Sequence, residues 1–452
     1  MPADGRQIVM TKTTTSASTG AQLWNKAKRL IPGGNQILSK RVERFLPDLW
    51  PAYYRRAKGC EVWDLDDRHY YDFAQMGVGA CILGYADDDV NAAVIRCIQN
   101  GSMCSLNSYE EVELAERLIA LHPWAARARF GRSGGEACAI AVRIARAASG
   151  KDFVAFCGYH GWHDWYLSAN LADARNLDGQ LLPGLAPAGV PRHLRGSSAP
   201  FHFNDLASLD RIVAERGGEL GAIIMETERG SKPVPGFLEG IRAIANKFRA
   251  VLIFDEVTSG FRLNNGGIHL TLGVDPDLAV FGKGMGNGFP IAAVIGRADV
   301  MSAAEETFIS STFWSERVGF AAALATLDKI ARCDVPTHLC RHGEQIIAGL
   351  RALASRHGID LAISGIPPLI YLQFRHPQAL EIQTFWAQEM LDQGYLLGGA
   401  IYTSYAYRSE INEKFLADCD PVFARIRAHL DRGDLPSQLR GRVIQTGFRR
   451  LT

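Results

Sequence analysis

Short apolar runs, each closed by a polar residue or a glycine, limit the folds open to this 452-residue chain. Residues 152–157, 221–225 and 251–254 are such runs, and 277–281 and 291–295 repeat the pattern. A strand that is apolar at every position has both faces covered, which is typical of a parallel sheet between helical layers. Helical patterns lie between the runs: 112–121 is apolar on one face, and 137–148 on most of its surface. Strands alternating with helices predict an α/β fold with crossover connections. After about Gly319 helices dominate, as in 320–332 and 343–356. A smaller α+β domain is expected there, completed by the N-terminal segment. The expected division is a mobile tail over residues 1–20, an N-terminal segment of the small domain over 21–75, a large domain over 76–325 and the rest of the small domain over 326–452. Within 21–75 we expect a helix at 21–30 and a hairpin at 60–73 turning at Asp66-Asp67.

Composition removes several function classes. Lys and Arg number 49 against 48 Asp and Glu, so no charge excess draws the chain to nucleic acid or to an anionic membrane. No apolar run reaches the roughly 18 residues of a membrane helix, and the N-terminus has no apolar signal core. The nine cysteines are odd in number and form no CxxC pair. That usage fits reduced thiols in the cytoplasm, without a disulfide framework or a metal site. Cys138 and Cys157 fall in core elements and read as small hydrophobes.

Lys283 lies in Phe281-Gly282-Lys283-Gly284-Met285-Gly286-Asn287-Gly288, between two of the apolar runs. Glycines keep a chain slim where it approaches a ligand, and the carboxyl ends of strands are where open α/β sheets bind ligands. An amine in a partly desolvated pocket loses its proton more readily and attacks carbonyls. This suggests a Schiff base with pyridoxal phosphate, and other strand ends carry the parts such a cofactor needs. Ser133-Gly134-Gly135-Glu136 opens a helix whose amides and dipole favour a phosphate, although an ordinary N-cap looks the same. Asp255 closes the run 251–254 and precedes Lys283 by 28 residues. A carboxylate there could keep a pyridine nitrogen protonated, or merely cap a helix. Glu226 supplies a second carboxylate at the same rim. Tyr159 could stack on the ring and Val257 could cover its other face, whereas His160 alone reads as a structural hydrogen bonder.

Taken together, these residues resemble the class III aminotransferases of fold type I, near glutamate-1-semialdehyde aminomutase. The matching stretches include Ile31-Pro32-Gly33-Gly34, Leu83-Gly84-Tyr85, Ser133-Gly134-Gly135-Glu136-Ala137, Tyr159-His160-Gly161, Ile253-Phe254-Asp255-Glu256-Val257, Ser259-Gly260-Phe261-Arg262 and Gly282-Lys283 with Gly288-Phe289-Pro290. They run in the family's order over roughly residues 21–330. The resemblance implies a large, mostly parallel sheet of the seven-stranded type beside a small α+β domain, with pyridoxal phosphate as cofactor. Lys283 would form the Schiff base and shuttle the Cα proton. Asp255 would face the pyridine nitrogen, Tyr159 the ring, and Ser133, Gly134 and Gly135 the phosphate. Thr312 would reach the phosphate from the partner subunit, which implies a homodimer with shared active sites acting on small amines and carbonyls.

Three departures bear on the substrate. Gly135 stands where the family's Ser-Gly-Thr turn has threonine. Lys40, six residues after Gly34, stands where the aminomutase has an arginine for the substrate carboxylate, and lysine cannot form the bidentate fork. The stretches 159–166 and 311–314 differ from the aminomutase and resemble a subgroup of amino-sugar, polysaccharide and secondary-metabolite pathways. The resulting expectation is a ping-pong aminotransferase, with an aminomutase or epimerase on the same scaffold as the alternative. A binding protein without catalysis is disfavoured by the retained Lys283, Asp255 and Tyr159. Asn35, Gln36, Lys40, Tyr54, Trp162 and Arg262 are the candidate substrate contacts.

Overall fold

The computed structural model describes residues 18–180, 183–228 and 230–447. Of the expected tail, residues 1–17 lie outside the described residues. The first helix, Thr19–Leu30, starts two residues before the expected position because Ser18 caps it, its side chain accepting from Ala21 N at 3.3 Å.

Strands β1 (Tyr54–Lys58), β2 (Glu61–Asp64) and β3 (His69–Phe73) form an antiparallel meander. The turn between β2 and β3 is the expected one, closed by Asp64 Oδ1, which accepts from Asp66 N and Arg68 N at 2.9 Å each.

The large sheet contains β4 (Arg127–Gly131), β5 (Phe153–Cys157), β6 (Ser198–Pro200), β7 (Leu220–Glu226), β8 (Val251–Asp255), β9 (Leu278–Phe281) and β10 (Ala292–Gly296). Its order is β4-β10-β9-β8-β7-β5-β6, seven strands as expected. Neighbours from β6 to β9 pair in parallel, while β10 runs antiparallel to both β4 and β9. The chain reverses straight after Lys283, so no crossover separates β9 from β10. Every residue of β5, β8, β9 and β10 is buried. Val154, Phe156, Ile224 and Ile253 pack with helix Gly134–Ser149 on one face, and Ala155, Ile223, Leu252 and Phe254 with helix Phe237–Phe248 on the other. Two covered faces explain why these strands read as unbroken apolar runs.

The remaining strands draw on both ends of the chain. Beyond β10 come β11 (Leu361–Ile366), β12 (Leu369–Phe374), β13 (Tyr395–Leu397) and β14 (Ala400–Tyr402). Strands β11, β12 and β14 form an antiparallel sheet, whereas β13 joins the N-terminal meander, parallel to β3. Phe73 stacks on Phe415 of helix Ser409–Arg432 at 4.0 Å, within a core that also holds Trp386 and Tyr395. None of these four strands was expected individually: β11 and β12 are partly exposed, and β13 and β14, though buried, are only three residues long. The helix expected at 343–356 spans Val335–Arg356, begun eight residues earlier by Pro336 in its first turn. Among the described residues no helix is long and apolar enough to cross a membrane.

Candidate active site

The carboxyl ends of β7, β8 and β9 bring three charged residues to one rim. Glu226 closes β7 and is paired in register with Asp255, which closes β8. Lys283 follows β9 by two residues and opens a 3₁₀ turn, Lys283–Gly286. Its φ of +40° is the left-handed region, an uncommon conformation for a lysine and one that marks stored strain. Lys283 Nζ donates to Thr258 Oγ1 at 2.7 Å. Burial holds the amine below its ordinary value; Glu226 and Asp255 oppose that shift and Arg262 adds to it.

Asp255 is 4 % exposed and hydrogen-bonded at both carboxylate oxygens. Its Oδ1 accepts from Val257 N at 3.0 Å, and its Oδ2 accepts from His160 Nδ1 at 2.7 Å and from Cys138 Sγ at 3.3 Å. His160 is therefore a hydrogen bonder, as expected, but to the central carboxylate. Cys138 is buried as a small hydrophobe would be, yet it also donates to that carboxylate. The ligand-type atoms of Cys138, His160 and Asp255 lie within 4.8 Å of one another, and the carboxylate accepts from both of the others.

Tyr159 follows β5 and is 40 % exposed, its N–H donating to Glu226 Oε2 at 3.1 Å. Gly158 before it has φ +124°, and a Cβ there would stand 2.5 Å from the same carboxylate oxygen. Glycine is thus required for the chain to pass Glu226.

At the other end of the cluster, Ser133 caps helix Gly134–Ser149 in a capping box with Glu136. The helix starts earlier than the expected 137, so Gly134 and Gly135 form its first turn. Their amides precede the first ladder bond, Ala137 N to Ser133 O, and so remain free for an anion. Val257 ties this turn to the lysine loop. Its Cγ1 would lie 2.6 Å from a Cβ on Gly134 and 3.5 Å from one on Gly282. Thr312, in the turn Thr312–Ser315, is exposed. Its segment is anchored beside the glycine turn by Arg132, whose Nε donates to Phe313 O at 2.7 Å.

The candidate substrate contacts divide. Arg262 is 1 % exposed, with Nε donating to Thr258 O at 2.7 Å and Nη2 to Gly79 O. Burial pushes its guanidinium down to about 10. Trp162 is 70 % exposed and stacks on His163. Among the described residues, Asn35, Gln36, Lys40 and Tyr54 make no hydrogen bond to the groups around Lys283. Sequence reasoning missed Thr258, whose hydroxyl holds the lysine. It also missed Tyr371 and Tyr402, whose hydroxyls lie 3.3 Å apart beside Arg262. Both tyrosines come from the small-domain strands β12 and β14, which no local pattern connects to Lys283.

These residues fit a phosphorylated pyridine aldehyde: free helix amides for the phosphate, a carboxylate for the ring nitrogen, an exposed phenol for the ring face and a desolvated amine for the aldehyde. Residues 47–400 match the family model of aminotransferase class III. A 3-aminobutyryl-CoA aminotransferase of Cloacimonas acidaminovorans is 34 % identical over 79 % of this chain and 84 % of its own length. A glutamate-1-semialdehyde 2,1-aminomutase of Methanothrix thermoacetophila is 32 % identical over 89 % of this chain and 96 % of its own. The PLP form of the FumI protein of Sphingopyxis sp. MTA144 superposes with a TM-score of 0.83 at 27 % identity, covering 92 % of this chain and 98 % of that one.

Proposed function

The chain belongs to the class III aminotransferases, and we propose that this pyridoxal-phosphate-dependent transaminase works through Lys283, Asp255 and Tyr159. Pyridoxal phosphate, when bound, supplies an electron sink conjugated to the substrate Cα. Lys283 Nζ would be the group that holds the cofactor's aldehyde, and the same amine would carry the proton to and from the substrate Cα. Thr258 Oγ1 orients the amine, and burial favours the unprotonated nucleophile. Asp255 faces the ring nitrogen, held there by His160, Cys138 and the Val257 amide. Tyr159 and Val257 would bracket the ring, Ser133, Gly134 and Gly135 would hold the phosphate, and Glu226 positions the Tyr159 backbone. The single observation carrying this assignment is the convergence of Lys283, Asp255 and the Gly134 turn on Val257 and its neighbours.

The proposed assembly is a cytoplasmic homodimer in which Thr312 of the partner subunit completes the phosphate site. In support, Thr312 is exposed, and Phe308, Phe313, Leu106 and Tyr109 are large hydrophobic side chains 64–85 % exposed. The proposed acceptor is a keto or aldehyde compound. The exposed Trp162 indole suits a substrate with a flat apolar or sugar face, in keeping with the amino-sugar and secondary-metabolite expectation. An aminomutase is the weaker reading, because Lys40 stands in place of the arginine for the carboxylate and cannot form its bidentate fork. The deciding assay follows consumption of 2-oxoglutarate or pyruvate against product. One-to-one consumption is expected, and product formed with neither donor nor acceptor added would establish isomerisation instead.

A further inference from the structure

Gly135 removes a hydroxyl from the phosphate turn, and the structure fills the place with another polar group. A Cβ built on Gly135 would meet His163 Cε1 and Nδ1 at 3.5 Å each. That distance is ordinary contact, so the imidazole edge lies beside the position a side chain at 135 would occupy. The same Cβ would lie 3.5 Å from Gly161 Cα, and a Cβ on Gly161 would stand 2.8 Å from the Gly135 Cα. His163 is fixed in place: its carbonyl accepts from Tyr166 N at 3.0 Å and Leu167 N at 3.1 Å, and its ring stacks on Trp162 at 4.8 Å. Yet its Nδ1 is buried without a hydrogen-bond partner, and a buried orphan of this kind calls for an explanation.

We propose that His163 is a cofactor-binding residue whose imidazole N–H replaces, at the phosphate, the threonine hydroxyl that Gly135 lacks. The assignment rests on reading Ser133-Gly134-Gly135 as the phosphate turn. A half-turn of the ring exchanges Cε1 for Nε2 at the edge facing Gly135, so either nitrogen can donate there without a change in volume. Burial holds the ring below its ordinary value, and the charged groups facing it, Glu136 and Asp164, oppose that shift. A phosphate would oppose it too. The two replacements are coupled, because a side chain at 135 would grow beside the His163 ring, its Cβ already 3.5 Å from Cε1 and Nδ1.

The test is titration of each apoprotein with pyridoxal phosphate and, separately, with pyridoxal, followed by cofactor absorbance. His163→Phe keeps the ring and the stacking but has no N–H. It should bind pyridoxal phosphate about ten- to hundredfold more weakly, the worth of one hydrogen bond to a charged group, and pyridoxal almost as before. His163→Ala should behave likewise. Gly135→Thr alone should weaken binding, whereas Gly135→Thr combined with His163→Ala should recover most of the loss. Parental affinity in His163→Phe, or no recovery in the double variant, overturns the proposal. The parent separates the two levels: if it binds pyridoxal as tightly as pyridoxal phosphate, the phosphate turn itself is misassigned.

Discussion

His160 Nδ1 lies 2.7 Å from Asp255 Oδ2, so the carboxylate proposed for the ring nitrogen is steered by a fully buried imidazole. His160→Phe removes that donor and leaves Cys138 and the Val257 amide. We expect kcat to fall about tenfold or more, the worth of a hydrogen bond to a charged group, with cofactor affinity changed far less. Asp255→Ala should lower kcat further, again more than it loosens the cofactor. Equal losses in kcat and in affinity, measured by steady-state kinetics and cofactor titration, would falsify the electronic role.

Lys283→Ala should abolish turnover and the absorbance of the covalently held cofactor. The apoprotein carries a second signature. The folded-state lysine lies below its ordinary value of 10.5 because of burial. Between the two values the unfolded chain binds more protons than the folded one, so the lysine's contribution to stability rises with pH across that window and is least favourable below it. Apoprotein carrying Lys283→Met should therefore melt above the parent at neutral pH. The gap should close as pH approaches 10.5. A gap independent of pH in thermal scans would contradict a desolvated amine.

Val257 makes Gly134 intolerant of even one carbon, since a Cβ there would sit 2.6 Å from Val257 Cγ1. Gly134→Ala should destabilise the protein by about 1–3 kcal/mol through overpacking and weaken cofactor binding. Adding Val257→Ala should restore stability, as read from denaturant unfolding. Purely additive effects would mean that the two positions do not press on each other.

Shared active sites can be tested by mixing subunits. A dimer of Lys283→Ala and Thr312→Ala chains has one site lacking both residues and one site lacking neither, if Thr312 crosses to the partner. Co-refolded mixtures should then be more active than either variant alone. Activity no greater than the average of the two parents in the mixture places Thr312 in its own subunit's site or in none.

The centre of the large sheet was legible because β5, β7, β8, β9 and β10 are covered on both faces and four of them carry chemistry at or just beyond their carboxyl ends. Lys283, Asp255, Glu226 and Tyr159 could be read for that reason. Thr258 could not, since a hydroxyl three residues after Asp255 looks like any loop threonine until the fold turns it onto Lys283. Tyr371 and Tyr402 were out of reach for a different reason, because strands β12 and β14 are brought to Arg262 only by domain packing. His160 and Cys138 were seen, but their shared target was not: one lies in the loop after β5 and the other on helix Gly134–Ser149, and the two reach Asp255 from different elements.

The parallel pairing of β13 with β3 has a consequence for synthesis of the chain. Tyr71 is partnered by Tyr395, more than three hundred residues later. A ribosome adding about 5–20 residues per second needs roughly 15–65 s to cover that interval. Throughout it the N-terminal meander waits with an unpaired edge while the sheet that holds Lys283 emerges and can fold. Nascent chains stalled before Tyr395 should thus carry a formed large domain and an exposed β3, the state in which a chaperone would have most to cover.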